Sequence, residues 1–471
     1  MPELLALEER QRHAARPLDP NNPLPVVAPG TTFETVSEQI SSIVLTRKTP
    51  LFWWCSFGFG LFLFVVFGIS ITYLLAKGIG IWGVEIPVGW AFAITNFVWW
   101  IGIGHAGTLI SAFLLLMNQA WRSSINRFAE AMTIFAVMCA GMFPLFHLGR
   151  AWIFYWILPY PNTMTAQPNF RSPLVWDVFA VSTYFTISVL FWYIGMIPDL
   201  GTLRDRAAGG FKKGFYGVLS FGWRGSSHHW KLHKTACLLL AGIATPLVLS
   251  VHTVVSFDFT IAILPGWHST IFPPYFVAGA IYSGFAMVLV LGIPLRSVYG
   301  LHNLITVRHL NNCGKLMLVT GLFLAYTYLI EPFTAWYSGN GFEMYTVHNR
   351  AVGPHSWSYW LVILLNVIIP QALWFYKVRT RVIPLFTVSM VVLVGMWVER
   401  FMIIVTALDR DFLPSSWSNF VATFWDNAMF WGSIGMFIVL FMLFVRFLPM
   451  IPMHEVRELL PFSRPGGGTE K

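Results

Sequence analysis

Residues 89–117 read GWAFAITNFVWWIGIGHAGTLISAFLLLM, a run without Lys, Arg, Asp or Glu in which His105 is the sole ionisable group. At about 1.5 Å of rise per residue, a helix of this length exceeds the roughly 30 Å of a bilayer's hydrocarbon core. Nine further apolar runs lie at 51–76, 128–158, 173–197, 235–257, 273–297, 315–336, 357–378, 382–407 and 424–448. The fold class that follows is an all-α integral membrane protein of about ten transmembrane helices.

Composition agrees with that reading. Of the 471 residues, 56% are hydrophobic and only 11% charged, against roughly 25% charged in soluble domains. The +9 net charge does not point to nucleic acid, because the basic residues gather in connections between apolar runs, as topology signals do. With the N-terminus inside, 24 of the 30 Lys and Arg residues fall on inside segments and five on outside ones, with Arg400 within a span. That bias sets both termini in the cytoplasm and requires an even number of spans. The chain divides into an N-terminal segment (1–50), a membrane domain (51–448) with a long basic loop (198–234), and a C-terminal tail (449–471). The first segment, with PLDPNNPLP at 17–25, lacks the apolar core of a cleavable signal, so the first span is expected to be an uncleaved anchor.

Metal-binding patterns are not evident. Cys55, Cys139, Cys237 and Cys313 form no close pair and no CxxCH, so any haem or iron–sulfur cluster is expected on a partner chain. His228, His229 and His233, in RGSSHHWKLHK, have no acidic or Cys neighbour; that loop reads as solvated and facing lipid headgroups.

Ionisable groups inside spans are costly and mark function or specific pairing. The topology places most of them toward the outer side. His147 and Arg150 lie three residues apart at the end of the third span, on one helical face. Asp177 is about one turn into the fourth span, and Asp258 closes the fifth beyond His252. Glu331 is near the outer end of the seventh, Glu399 and Arg400 are in the outer half of the ninth, and Asp426 opens the tenth. Each alone is as readily an interfacial group or packing ion pair; Asp426 and Glu331, close to water, favour that reading. His147, Asp177 and Arg400 at one depth point instead to a shared polar cavity. His105 lies deeper, among Gly102, Gly104, Gly107 and Ser111, which allow close helix approach; it is either a satisfied core histidine or a proton-path residue, with Glu399 as a further candidate for that path.

PLFHLGRAW (144–152), SPLVWDVFAVSTYF (172–185), WWIGIGHAGTLISA (99–112) and WVERFM (397–402), on a ten-span layout, resemble the polysulfide-reductase, or NrfD-like, membrane-subunit family, and within it the quinol-oxidising subunits of alternative complex III. The resemblance implies two four-helix bundles with two flanking helices in a bacterial cytoplasmic membrane. It implies a menaquinol site on the outer side, with His147, Asp177, Asp258 and Arg400 as contacts and Arg150, His252 and Glu331 as possible pocket residues. It also implies an iron–sulfur subunit on the outer face, c-type cytochrome subunits and a paralogous membrane subunit as partners, with surrounding lipids. A neutral His and an ionised Asp are suitable proton acceptors for a quinol, and Arg400 would hold the carboxylates ionised.

Two other readings stand beside this one. A secondary transporter would place binding residues near the midplane on discontinuous helices. A paralogous NrfD-like subunit would share the fold without a quinol site. A two-haem quinol oxidase is poorly supported, since His105, His147 and His252 are expected at different depths.

Overall fold

The computed structural model describes residues 26–46, 48–158 and 170–460. Among the described residues there is no strand, and ten helices are long and apolar enough to cross a bilayer. In chain order the helices are α1 (Phe33–Leu45), α2 (Leu51–Lys77), α3 (Phe92–Leu116), α4 (Asn126–His147), α5 (Pro173–Arg206), α6 (Gly210–Leu219) and α7 (Ser227–Thr260). They continue as α8 (Phe272–Val298), α9 (Val307–Ser338), α10 (Gly341–Val352), α11 (Ser356–Trp374), α12 (Val382–Leu408), α13 (Phe424–Phe447) and α14 (Met453–Glu458). All but α1, α6, α10 and α14 are candidate spans.

Two boundaries differ from the hydropathy reading. Hydropathy extends the third run to 158, but α4 stops at His147; Gly149 adopts a φ of +75° and a separate 3₁₀ segment covers Ala151–Ile157. Glycine tolerates this left-handed conformation, which ends a helix, and Arg150 therefore leaves the helical face that spacing alone would have it share with His147. The segment 198–234 is also largely helical: α5 passes through Pro198 to Arg206, α6 follows, and α7 begins at Ser227. Hydropathy marks where a helix leaves hydrocarbon, and these helices continue as polar turns beyond that point.

Helices α3, α4, α5 and α7 form one four-helix bundle, and α8, α9, α11 and α12 a second. They join through α8 against α3 and α7, and α12 against α3; α2 and α13 pair beside them, with α13 against α4. Hydrocarbon solvates a Leu as well as another helix does, so close packing of small residues draws the helices together. A Cβ on Gly107 of α3 would lie 2.0 Å from the Ala129 carbonyl oxygen of α4, and one on Gly284 of α8 would lie 2.4 Å from Ala106 Cβ. The α2–α13 pair repeats the device, with Gly435 2.4 Å from Leu63 Cβ by the same measure.

The described terminal helices meet at one end of the bundles, as an even number of spans requires. Arg457 of α14 donates to Ser37 of α1, Glu455 pairs with Arg122 at 3.0 Å, and His454 contacts Asp199 at 3.2 Å. Burial pulls the His454 imidazole down, but the adjacent Asp199 carboxylate outweighs it and leaves the group above its ordinary value.

Gly284→Ala should lower the unfolding midpoint of the detergent-solubilised protein by the equivalent of about 1–3 kcal/mol, the usual cost of overpacking. Gly242→Ala, where an added Cβ meets nothing within 4 Å, should leave it unchanged or slightly higher. Equal midpoints for the two variants would show that the α3–α8 contact does not limit stability.

Candidate functional site

Helices α4 and α5 are tied together at the end that carries the terminal helices. There Arg127 Nη2 donates to the Gly195 carbonyl at 2.7 Å and approaches Asp199 at 3.4 Å. Toward their other ends they flank a cavity of about 520 Å³, walled further by α7, by Trp90 just before α3, by Ile94 and Phe97 at the start of α3, and by Met436 of α13. That volume is within the roughly 300–1,000 Å³ typical of small-molecule sites. Most of the wall is apolar, including Phe97, Val137, Met142, Leu145, Val181 and Phe185.

Three ionisable side chains interrupt this apolar wall: His147 at the end of α4, Asp177 near the start of α5 and Asp258 near the end of α7. Asp177 is only 7% exposed. His147 Nδ1, Asp177 Oδ1 and Asp258 Oδ1 are buried without a hydrogen-bond partner. The two carboxyl groups lie within hydrogen-bonding reach of each other, and no Lys or Arg among the described residues lines the cavity. Trp90 stands edge-on to His147 with ring centroids 6.2 Å apart.

A buried polar atom left unpaired costs about 1–3 kcal/mol, so three around one cavity ask for a ligand with its own polar groups. The site therefore offers a proton acceptor on the imidazole and another on the carboxyl pair, separated by a space apolar enough for a ring.

The other sequence candidates lie elsewhere. Arg400 is 2% exposed, with Nη1 3.4 Å from Glu399 Oε1 and its guanidinium 4.3 Å from the centroid of Phe276. It pairs with its own neighbour and lines no part of the cavity, so it is not the counter-charge of Asp177 and Asp258. His252 and His105 are in ring contact at 4.6 Å; these two histidines share one depth, contrary to the sequence expectation, because α3 and α7 pack side by side. His105 Nδ1 bonds the Ile101 carbonyl at 3.0 Å, and its ring stacks at 5.7 Å on Tyr184. Tyr275 and Tyr328 stand beside the Glu399 carboxylate, although the Tyr275 hydroxyl and Glu399 Oε2 have no partner in hydrogen-bond geometry. Glu331 pairs with Arg350 at 2.5 Å in the second bundle. Arg150 is exposed beyond the end of α4. Asp426 caps α13, accepting from the Thr423 and Gly83 backbone at 2.8 Å each.

The sequence does not single out Trp90 or Phe185, because in a chain that is 17% aromatic no local signal separates them from lipid-facing rings. Arg350 reads there only as a topology signal; its position in the amphipathic turn of α10 gives no indication of Glu331 as its partner.

The family model for NrfD, polysulphide reductase, matches residues 83–410. The chain belongs to the NrfD polysulphide reductase family. The matched region runs from just before α3 to the end of α12, so it contains both bundles and all three ionisable groups of the cavity, and it leaves out the α2–α13 pair. A dimethyl sulfoxide reductase membrane protein from Halobacterium salinarum is 26% identical over 358 residues, covering 72% of this chain and 76% of that protein. NrfD proteins are membrane subunits of oxidoreductase complexes.

If the carboxyl pair is held for ligand binding, Asp258→Asn should leave the unfolding midpoint unchanged or raise it, since it removes charge from an apolar wall while keeping the shape. Asp426→Ala should lower it by the equivalent of about 1 kcal/mol through loss of a helix cap. A midpoint for Asp258→Asn as low as that of Asp426→Ala would mark the pair as structural.

Proposed function

We propose that this chain is the quinol-oxidising subunit of a membrane quinol:electron-acceptor oxidoreductase of the alternative complex III type, and that menaquinol reacts in the cavity between α4 and α5. The supporting observation is the convergence of His147, Asp177 and Asp258, each with an unpartnered buried atom, on one apolar space. A quinol is a flat apolar ring with a hydroxyl on each of two opposite edges. One hydroxyl donates to His147 Nδ1 and the other to the carboxyl pair. Each proton passes to its acceptor as the ring loses electrons, so that two protons and two electrons leave and a quinone remains. The electrons go singly to an iron–sulfur cluster of a partner subunit docked over the His147 end, and from there to c-type cytochromes.

The distribution of Lys and Arg supports a cytoplasmic position for the end with the terminal helices, in a bacterial inner membrane. The released protons then reach the outer side. A transporter would bind near mid-depth on broken helices, whereas the three ionisable groups of this cavity lie near helix ends. A row of His105, His252, Arg400 and Glu399 crosses between the two bundles at the buried centre, with His252 in ring contact with His105 and both His252 and Arg400 against Phe276. This row supports a further role in moving protons.

Reconstitution of the complex in vesicles tests both parts. His147→Ala and Asp177→Asn should each lower quinol oxidation by about 10²–10⁴-fold, the range for loss of an acid–base group, with the complex still assembled and Arg150→Ala near normal. Near-normal turnover in either cavity variant would place the reaction elsewhere. His105→Ala and Glu399→Gln should reduce protons released per electron while quinol oxidation largely persists. If both quantities fall together, or neither changes, the central row has a packing role only.

A further inference from the structure

We propose that the stretch from α6 to the first turns of α7 is a binding surface for anionic phospholipid headgroups, with α6 lying at the bilayer surface on the side that carries the terminal helices. This surface is separate from the cavity and from any reaction there.

Three hydrogen bonds set the level of α6. Lys212 Nζ donates to the Leu45 carbonyl at 2.8 Å, Tyr193 Oη to the Leu219 carbonyl at 2.8 Å, and Tyr216 Oη to the Phe447 carbonyl at 3.0 Å. Leu45 ends α1 just before α2 begins, Phe447 ends α13, and Tyr193 lies near the end of the apolar run 173–197 of α5. Each partner marks a place where a spanning helix leaves hydrocarbon, and α6 is tied to all three.

Two kinds of side chain face outward from this stretch. Tyr216 is buried, whereas Phe211 is 86%, Val218 78% and Phe221, just beyond the helix, 80% exposed. Phe211, Phe215 and Val218 follow one another at four and three residues, so they form one stripe along α6, and the rings of Phe211 and Phe215 stack with centroids 6.1 Å apart. Lys213, Arg224, Lys231 and Lys234 are also exposed, and none of them makes an ion pair among the described residues. No Asp or Glu occurs at 206–257, and Asp205 is already paired with Arg204 at 2.8 Å. Trp223 and Trp230, with ring centroids 4.9 Å apart at the α6–α7 turn, add the indoles typical of a membrane interface.

Water offers nothing to the exposed rings, and hydrocarbon offers nothing to the cations. An apolar stripe of this kind inserts about 5–10 Å into the boundary between headgroups and acyl chains, while basic side chains at the same level attract phosphate. A phospholipid of net negative charge meets both needs at once, because a zwitterionic one carries its own cation beside each phosphate. The absence of any neighbouring carboxylate leaves the field of the four cations uncompensated, which favours the anionic lipid over a neutral partner surface.

The test uses the assembled complex in vesicles of mixed phosphatidylcholine and phosphatidylglycerol, with a photoreactive diazirine near the headgroup of one lipid or the other. The anionic lipid should label peptides within 210–234 about fivefold or more above the zwitterionic one. Replacing Lys213, Arg224, Lys231 and Lys234 together by Gln should bring the two lipids to equal labelling, and Phe211→Ser with Phe221→Ser should lower labelling by both. If the fourfold variant does not assemble, Lys213→Gln with Arg224→Gln, and Lys231→Gln with Lys234→Gln, should each remove part of the preference. Equal labelling by the two lipids in the unaltered complex, or a preference that survives neutralisation of the cations, overturns the lipid surface. A segment shielded from both lipids and cross-linked instead to another subunit overturns it in favour of a protein interface.

Discussion

In hydrocarbon no water is available to a backbone N–H or carbonyl, and the cost of an unpaired group there forces each crossing segment to satisfy its own hydrogen bonds. The ten long helices are the direct consequence. The same constraint explains why non-helical backbone is confined to the connections and why helix ends are elaborately finished, as where Asp426 accepts from both Thr423 and Gly83. It also sets how helices associate: with lipid as apolar as the side chains, contact depends on surfaces that let backbones approach, such as Gly107 on Ala129 and Gly284 on Ala106.

Against that background, buried polar groups separate into those paired across helices and those that converge on a cavity. Arg127 is held by Gly195 and Asp199, Glu331 by Arg350, and Glu455 by Arg122. These pairs join elements distant in sequence and are sufficiently explained by packing. His147, Asp177 and Asp258 are different, because each presents a bare atom to one shared space. Burial and charge alone would not distinguish the two kinds, since Arg400 and Glu399 are more deeply buried than His147 and yet pair with each other.

The cavity's position is itself a result of helix geometry. Helices α4 and α5 are joined at the clasp and flank the cavity toward the His147 end, where three ionisable groups interrupt an apolar wall. Helix α4 stops where Gly149 turns the chain, which leaves His147 on the last turn facing α5 and sends Arg150 away from it.

Run length and the scarcity of charge are local properties, so the sequence alone determined the number of spans and the helical class. It also determined the short set of polar exceptions from which any site had to be drawn, because each ionisable group in an apolar run is visible without knowing its neighbours. The layout of two bundles and a flanking pair followed only from the family resemblance that PLFHLGRAW, SPLVWDVFAVSTYF and the ten-span pattern carry. Which exceptions meet was not legible. Depth along a helix can be counted from its end, but the direction a side chain faces, and the helix it faces, depend on how helices remote in sequence pack. Only the tertiary structure therefore brought Asp258 to Asp177 and His252 to His105, kept Arg400 out of the cavity, and ended α4 before Arg150 could join it.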